Sequence, residues 1–293
     1  MSSEEFITES LFEGFKSILS IKVIFGLIVL IILFSTAILA PVISPFDPNE
    51  QRLNEAYKPP FWVKGGDKNY ILGTDSLGRD IFSRLVYGAR VAAVVAVVAT
   101  ILTAITGILV GLLSGFFGGK VDQIFMRLVD IWMSFPPVLF ALALIAILGV
   151  GLKNVILAIA IIDWTRFARV VRAEVINIKE KDFILADKAV GMSNTHIIFR
   201  EILPNTIPII IILATLEMSI AITVEILLSY VGLGVKAFTP SWGSMISEGL
   251  AYFRIGWWGM LFPMLATIVV ILGLNSLGDG LREKIDPRLS LMR

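Results

Sequence analysis

Three acidic residues stand inside otherwise apolar stretches of this chain: Asp163, Glu217 and Glu225. A carboxylate in such surroundings binds a proton or cation, lines a water-filled path, or pairs with a buried arginine. Glu217 and Glu225 fall two helical turns apart, so on a helix both point to nearly the same side. Glu217 has two competing readings, a wall of a pathway that contacts an amine and a structural partner for an arginine; for Glu225 the structural role is favoured, with the pathway as its alternative. Asp163 lies three residues before Arg166, the spacing of an ion pair along one helix. Thiol and imidazole chemistry have little to work with, because the chain has no cysteine and one histidine, His196. Nucleotide chemistry fares no better. Gly118-Gly119-Lys120 is followed by Val121 and preceded at the required place by Ser114, so no phosphate-binding loop of the G-x-x-x-x-G-K-[ST] type is present. Nucleophile-elbow and zinc-protease patterns are also missing. No catalytic constellation is expected, and no metal site.

The elements that hold these residues are membrane helices. Of the 293 residues 56% are hydrophobic and 17% charged, against roughly 25% charged in a soluble globule. The net charge of +1 argues against a nucleic-acid partner. A helix needs about 20 apolar residues to cross the hydrocarbon core. Val23–Ile43, Val91–Gly119, Ile131–Leu152 and Ile255–Gly278 meet that length; Asn154–Ile162, which soon reaches Asp163 and Arg166, and Thr206–Val231, which carries Glu217 and Glu225, are weaker candidates. The expectation is an all-α polytopic membrane protein of about six spans. Its parts are an N-terminal segment 1–22, a first span 23–43, a polar loop 44–90, a five-helix core 91–282 containing a second polar stretch 166–205, and a tail 283–293. Acids alternate with Phe6, Ile7, Leu11, Phe12, Phe15 and Ile18, the pattern of a short helix at the membrane surface or of a partly ordered tail. Placing both termini in the cytosol puts the larger share of the 25 lysines and arginines inside.

Gly107, Gly111 and Gly115 form one smooth helix face that lets another backbone approach. Pro136 and Pro137 remove two helix donors and kink the third span, either as a bent helix end or as a hinge. Trp257 and Trp258 sit where the last span meets water, as interfacial anchors do, with contact to a docked partner as the alternative.

The segment Asp182-Phe-Ile-Leu-Ala-Asp-Lys-Ala-Val-Gly191-Met-Ser-Asn-Thr-His-Ile-Ile-Phe-Arg-Glu-Ile-Leu203-Pro204 reads as a short helix, a glycine stop, and a new helix capped by Ser193. The string resembles the cytoplasmic "EAA" loop of bacterial ABC importer permeases, in which a glycine precedes a Leu-Pro pair at the spacing of Gly191 and Pro204. Leu185-Ala186-Asp187 stands where the family name has Glu-Ala-Ala. Gly73-Thr-Asp-Ser-Leu-Gly-Arg-Asp80, with Ser83-Arg84 and Tyr87-Gly-Ala-Arg90, is similar to the signature before the second span of dipeptide and oligopeptide permeases. Leu228-Ser-Tyr-Val-Gly-Leu-Gly234, Pro240-Ser-Trp-Gly243, Asn275-Ser-Leu-Gly-Asp-Gly-Leu-Arg282 and Asp286-Pro-Arg-Leu289 resemble later segments of that branch. The pattern is closer to the second permease of such systems than to the first.

The resemblance implies a type I ABC importer permease fold and half of a translocation pore for di- or oligopeptides in a bacterial or archaeal plasma membrane. It implies a homologous second permease, two cytosolic ATPases that use ATP and Mg, and an extracytoplasmic binding protein; the chain itself binds no cofactor. Coupling to the ATPases falls on Asp182, Leu185, Ala186, Asp187, Ala189, Gly191, Ser193, Leu203 and Pro204. The outer-loop signature is Gly73, Thr74, Asp75, Gly78, Arg79 and Asp80. Read without the family, that signature is a glycine-bracketed turn with an Asp–Arg pair, a rigid cap over the outer mouth or a peptide contact. Two alternatives stand beside this reading: the same machinery carrying nickel or a metal chelate, and an ion-driven transporter using Glu217, Glu225 and Asp163. The second lacks paired broken helices in matching halves.

Overall fold

The computed structural model describes residues 20–236 and 238–285. The surface-helix reading of residues 6–18 and the Asp286–Leu289 motif lie outside them. The elements in chain order are α1 (Ile21–Ile43), a 3-10 turn (Leu53–Glu55), α2 (Ile81–Phe117), α3 (Gly119–Met133), α4 (Pro137–Leu148), α5 (Leu152–Lys179), α6 (Asp182–Ala189), α7 (Asn194–Tyr230), α8 (Trp242–Ala251) and α9 (Trp258–Ile285). Strand structure among the described residues is limited to one bridge, Thr74 with Asp80.

α1, α2, α7 and α9 are long and apolar enough to cross a membrane, and α3 with α4, bent by 86° at the break between them, together have the length and hydropathy of a fifth, broken span or of a re-entrant loop. α5 is the sixth segment. It runs parallel to α2, because Gly107 meets Phe167, Gly111 meets Val171 and Gly115 meets Val175. Lys153, Asp163, Arg166, Arg169 and Arg172 dilute its hydropathy, so the segment that read as the shortest apolar run, Asn154–Ile162, is the start of a full-length helix.

Helix starts differ from the sequence reading at two places. α2 begins at Ile81, ten residues before the apolar run, because the Asp80 carboxylate accepts from Ser83 N at 2.7 Å and Ser83 Oγ at 2.6 Å and caps the first turn. The last part of the loop assigned to 44–90 is therefore helix. α7 starts at Asn194 behind its Ser193 cap, as the sequence reading has it, and the span read as Thr206–Val231 is the later part of that same helix, which leads from the 181–193 turn into the bundle. The segment read as the third span, Ile131–Leu152, starts instead at Gly119, and its proline pair separates α3 from α4.

Packing follows from the absence of water between the helices. Lipid tails are as apolar as leucine, so helices associate through close van der Waals contact, and small residues allow it. The glycine stripe of α2 lies on Phe167, Ala168, Val171 and Val175 of α5, all buried. α1 and α9 meet the same way: Gly26 faces Leu277, Gly273 faces Val29, and Gly280 faces Val23. Lys22 and Glu283 close the end of that pair at 2.5 Å. A Cβ on Gly111 would lie 2.8 Å from Val171 Cβ and 2.9 Å from the Ala168 carbonyl. We expect Gly111→Val to lower stability by about 1–3 kcal/mol, read as a lower thermal midpoint in detergent, whereas Leu109→Ala on the exposed side changes it by less than about 0.5 kcal/mol.

Candidate functional site

The bundle has three polar levels, one at each end and one between. The first is the elbow after α5. Lys179 ends that helix, and α6 turns outward with a single anchor, Ile184, fully buried among Leu112, Phe116, Val175, Ile178, Ile197 and Ile202. The rest of the elbow faces out: Asp182, Leu185, Ala186 and Ala189 are exposed, Asp187 is half-buried, and Phe183, Leu185, Val190 and Met192 present apolar side chains. Gly191 sits at φ +84°, where a side chain is disfavoured. That turn lets Met192 N reach Asp187 O at 3.0 Å. Ser193 then caps α7 by accepting from His196 N at 3.3 Å. Residues 197–202 form a π turn, with Leu203 N reaching back to Ile198 O. The wide turn lies just ahead of Pro204, whose ring collides with the carbonyl four residues earlier in an ordinary helix. Leu203 is half-buried and Pro204 exposed. Lys179 also donates to Phe116 O at 2.5 Å, and Lys179 and Lys188 each lie 5.7 Å from the centre of the Phe116 ring.

The second level is inside the bundle. Arg166 donates to Asp163 at 2.7 Å and to Glu217 at 3.2 Å, joining α5 to α7. Of the two readings of Glu217, the arginine partner is the contact observed. Both carboxylates are buried, Arg166 is about one-third exposed at 32%, and Glu217 Oε1 has no partner among the described residues. Glu225 shares the helix face but not the site. It is buried at the other end of α7 and accepts from Ser229 Oγ at 2.6 Å. Gly243 packs on Ile226 and Ser229, so the start of α8 closes over that carboxyl.

The third level is the cap opposite the elbow. Asp75 organises the signature turn, accepting from Leu77 N at 2.8 Å, Arg79 N at 3.0 Å and Arg79 Nε at 2.6 Å. Gly73 at φ +83° and Gly78 at φ +70° allow the loop to double back against Lys58 and Arg52. Burial raises the Asp80 carboxyl above its ordinary value, opposed by the donors of Ser83. Thr74 is wholly buried; it donates to Glu55 O at 2.5 Å, accepts from Lys58 N, and its carbonyl takes the Trp258 indole N–H at 2.9 Å. Trp258 is thus a buried bolt between the cap and α9, and not the interfacial anchor its position in the sequence suggested. Trp257 packs against its ring at 5.7 Å.

Glu248 of α8 was missed by sequence reasoning. It accepts from Arg79 at 2.6 Å and from Arg84 at 3.0 Å. Its only signal was an isolated acid in a largely apolar segment, with nothing to say which arginines it meets.

Comparison with known proteins adds the following. Residues 107–291 match the family model described as the binding-protein-dependent transport system inner membrane component. Residues 23–60 match the N-terminal transmembrane domain of oligopeptide transport permease C. The chain is 38% identical over 264 residues to the di/tripeptide transport system permease protein of Pseudomonas aeruginosa, covering 90% of this chain and 87% of that one. It is 40% identical to the dipeptide transport system permease protein of Alkalihalophilus pseudofirmus, covering 94% and 90%. It is 38% identical to the oligopeptide transport system permease protein of Bacillus subtilis, covering 90% and 85%. Among solved structures, an inward-facing form of the MetNI methionine ABC transporter shares the fold, with TM-score 0.58 and 21% identity over 70% of this chain and 97% of that one.

The Arg166 site makes a direct prediction. Removing the guanidinium strands two buried carboxylates, which costs about 3–5 kcal/mol. Arg166→Ala is expected to lower the thermal midpoint in detergent markedly, and Arg166→Ala with Asp163→Asn and Glu217→Gln to recover much of the loss.

Proposed function

The chain belongs to the family of binding-protein-dependent transport system inner membrane components, and on that premise we propose that it is one pore-forming half of an ATP-driven importer of short peptides. The cargo class rests on the curated relatives, whose names include di/tripeptide, dipeptide and oligopeptide permeases. The observation that carries the mechanism is the elbow. A helix held by one buried residue, Ile184, with its remaining apolar side chains facing out, is built to be gripped by another protein.

In this reading the elbow lies in the cytosol and docks on an ATPase, and a second, homologous permease completes the pore with its own ATPase. The chain supplies no nucleotide chemistry; ATP and Mg are used by those partners. An extracytoplasmic binding protein delivers cargo to the cap formed by the signature turn, α8 and the 252–257 loop. Closure of the ATPases moves α6, and the motion enters the bundle where Ile184 touches α2, α5 and the π turn of α7. Coupling of this kind requires contacts that differ between states. Of the two candidate pathway acids, Glu217 keeps one carboxyl oxygen without a partner among the described residues, whereas Glu225, bonded to Ser229 and covered by the start of α8, has the structural role.

The test is Gly191→Pro. Proline is held near φ −65°, far from the +84° found here. In proteoliposomes containing the full importer, uptake driven by internal ATP is expected to fall to background, with the thermal midpoint of the permease pair retained. Normal uptake by this variant contradicts the assignment.

A further inference from the structure

Pro136 and Pro137 carry no N–H, so the carbonyls of Trp132 and Met133 lose the donors that a continuous helix would provide. No other group replaces them among the described residues, because Ser134 N and Ser134 Oγ both turn back to Ile131 O, at 3.2 and 2.6 Å. The helix axis bends by 86° at this point, and residues 133–139 are all exposed.

The break is level with residues that the sequence reading places inside the hydrocarbon core. Trp132 Nε1 donates to Ile161 O at 2.6 Å, and Ala141 and Ile145 beyond the break pack with Val155 and Ile159. It is therefore level with the apolar first half of α5. Irregular backbone at that depth is tolerated only where protein buries it or where it lines a water-filled cavity.

Two observations favour water. Asp130, one turn before the break on the same face, pairs with Arg169 at 2.5 Å, and their side chains are 58% and 45% exposed. Such an exposed ion pair suits neither lipid nor a dry protein interface. Around the break stand four aromatic rings, Trp132, Phe135, Phe140 and Trp164, with neighbouring centroids 5.6–6.2 Å apart. Free carbonyls accept N–H groups, and aromatic faces attract cations.

We propose that this break lines the translocation pathway and binds the main chain of passing peptides. The carbonyls of Trp132 and Met133 accept from peptide N–H groups or from the N-terminal ammonium, with the aromatic rings beside them. Recognition through the main chain ignores side-chain identity, which suits cargo of varied sequence. The proposal rests on the importer reading above.

The experiment uses the complete importer in proteoliposomes. The chain has no cysteine of its own, so Ser134→Cys and Leu139→Cys each place a single thiol in it, read by the mass of this subunit. Both are expected to react with a cationic, membrane-impermeant thiol reagent. A saturating transported dipeptide should slow reaction at Ser134→Cys about tenfold or more, and a sugar should not. Adding Pro136→Ala and Pro137→Ala, which restores the missing donors, should remove that protection. No reaction at either thiol places the break in lipid or a dry interface and overturns the proposal. Reaction at the same rate with and without dipeptide makes it a wetted wall without a site and also overturns it. Uptake by the importer carrying the unsubstituted chain separates the two levels: uptake with unprotected thiols sinks only this site, whereas no ATP-driven uptake removes the importer reading with it.

Discussion

The hydrocarbon core offers no water to satisfy a polar group, and nearly every feature of this chain follows from that constraint. Because lipid does not drive helices together, the bundle relies on close backbone approach, which the glycines of α2 and the Gly26–Gly273 pair supply. Because a lone charge in the bundle is expensive, Arg166 is clasped between two carboxylates, and Arg84 shares Glu248 with Arg79. Because exposed turns are costly at depth, polar loops gather at the two ends. The exception is the Pro136–Pro137 break, and its position is what makes it informative.

The same constraint shapes the route by which, in the proposed mechanism, a push at one end would reach the other. Ile184 enters an apolar knot containing residues of α2, α5 and the π turn of α7. α2 and α5 lie side by side in parallel, and Ile184 packs where both of them end. At the far end the cap is tied down by Trp258 on Thr74, Trp242 on the Leu85 carbonyl, and the Arg79–Glu248 pair. Between the ends stands the Asp163–Arg166–Glu217 cluster, the polar link of α5 to α7.

Much of this was legible in the sequence. Hydropathy marked the crossings, the glycine spacing marked the α2 face, and the Gly191-to-Pro204 string marked the elbow and its Ser193 cap. The Asp163–Arg166 and Asp75–Arg79 pairs followed from spacing along the chain. What escaped depended on distant partners. Nothing local says that Glu217 completes the Arg166 site or that Glu248 meets two arginines more than 160 positions away. Trp258 has the composition of an interfacial anchor, and only the folded cap buries it. The start of α2 was hidden because Asp80, Ser83 and Arg84 make its first turn polar, and a cap residue is invisible to a hydropathy count. α5 was underrated for the same reason, since its charges face partners inside the protein.

The most direct test of the account concerns which side the elbow occupies and what covers it. A single thiol introduced as Val190→Cys, at a position 81% exposed in a chain without cysteine, can be challenged with an impermeant reagent from either face of the membrane. The account predicts reaction only from the cytosolic side, and protection once the ATPase subunits are bound. Reaction from the outer side, or equal reaction with and without the ATPases, contradicts it.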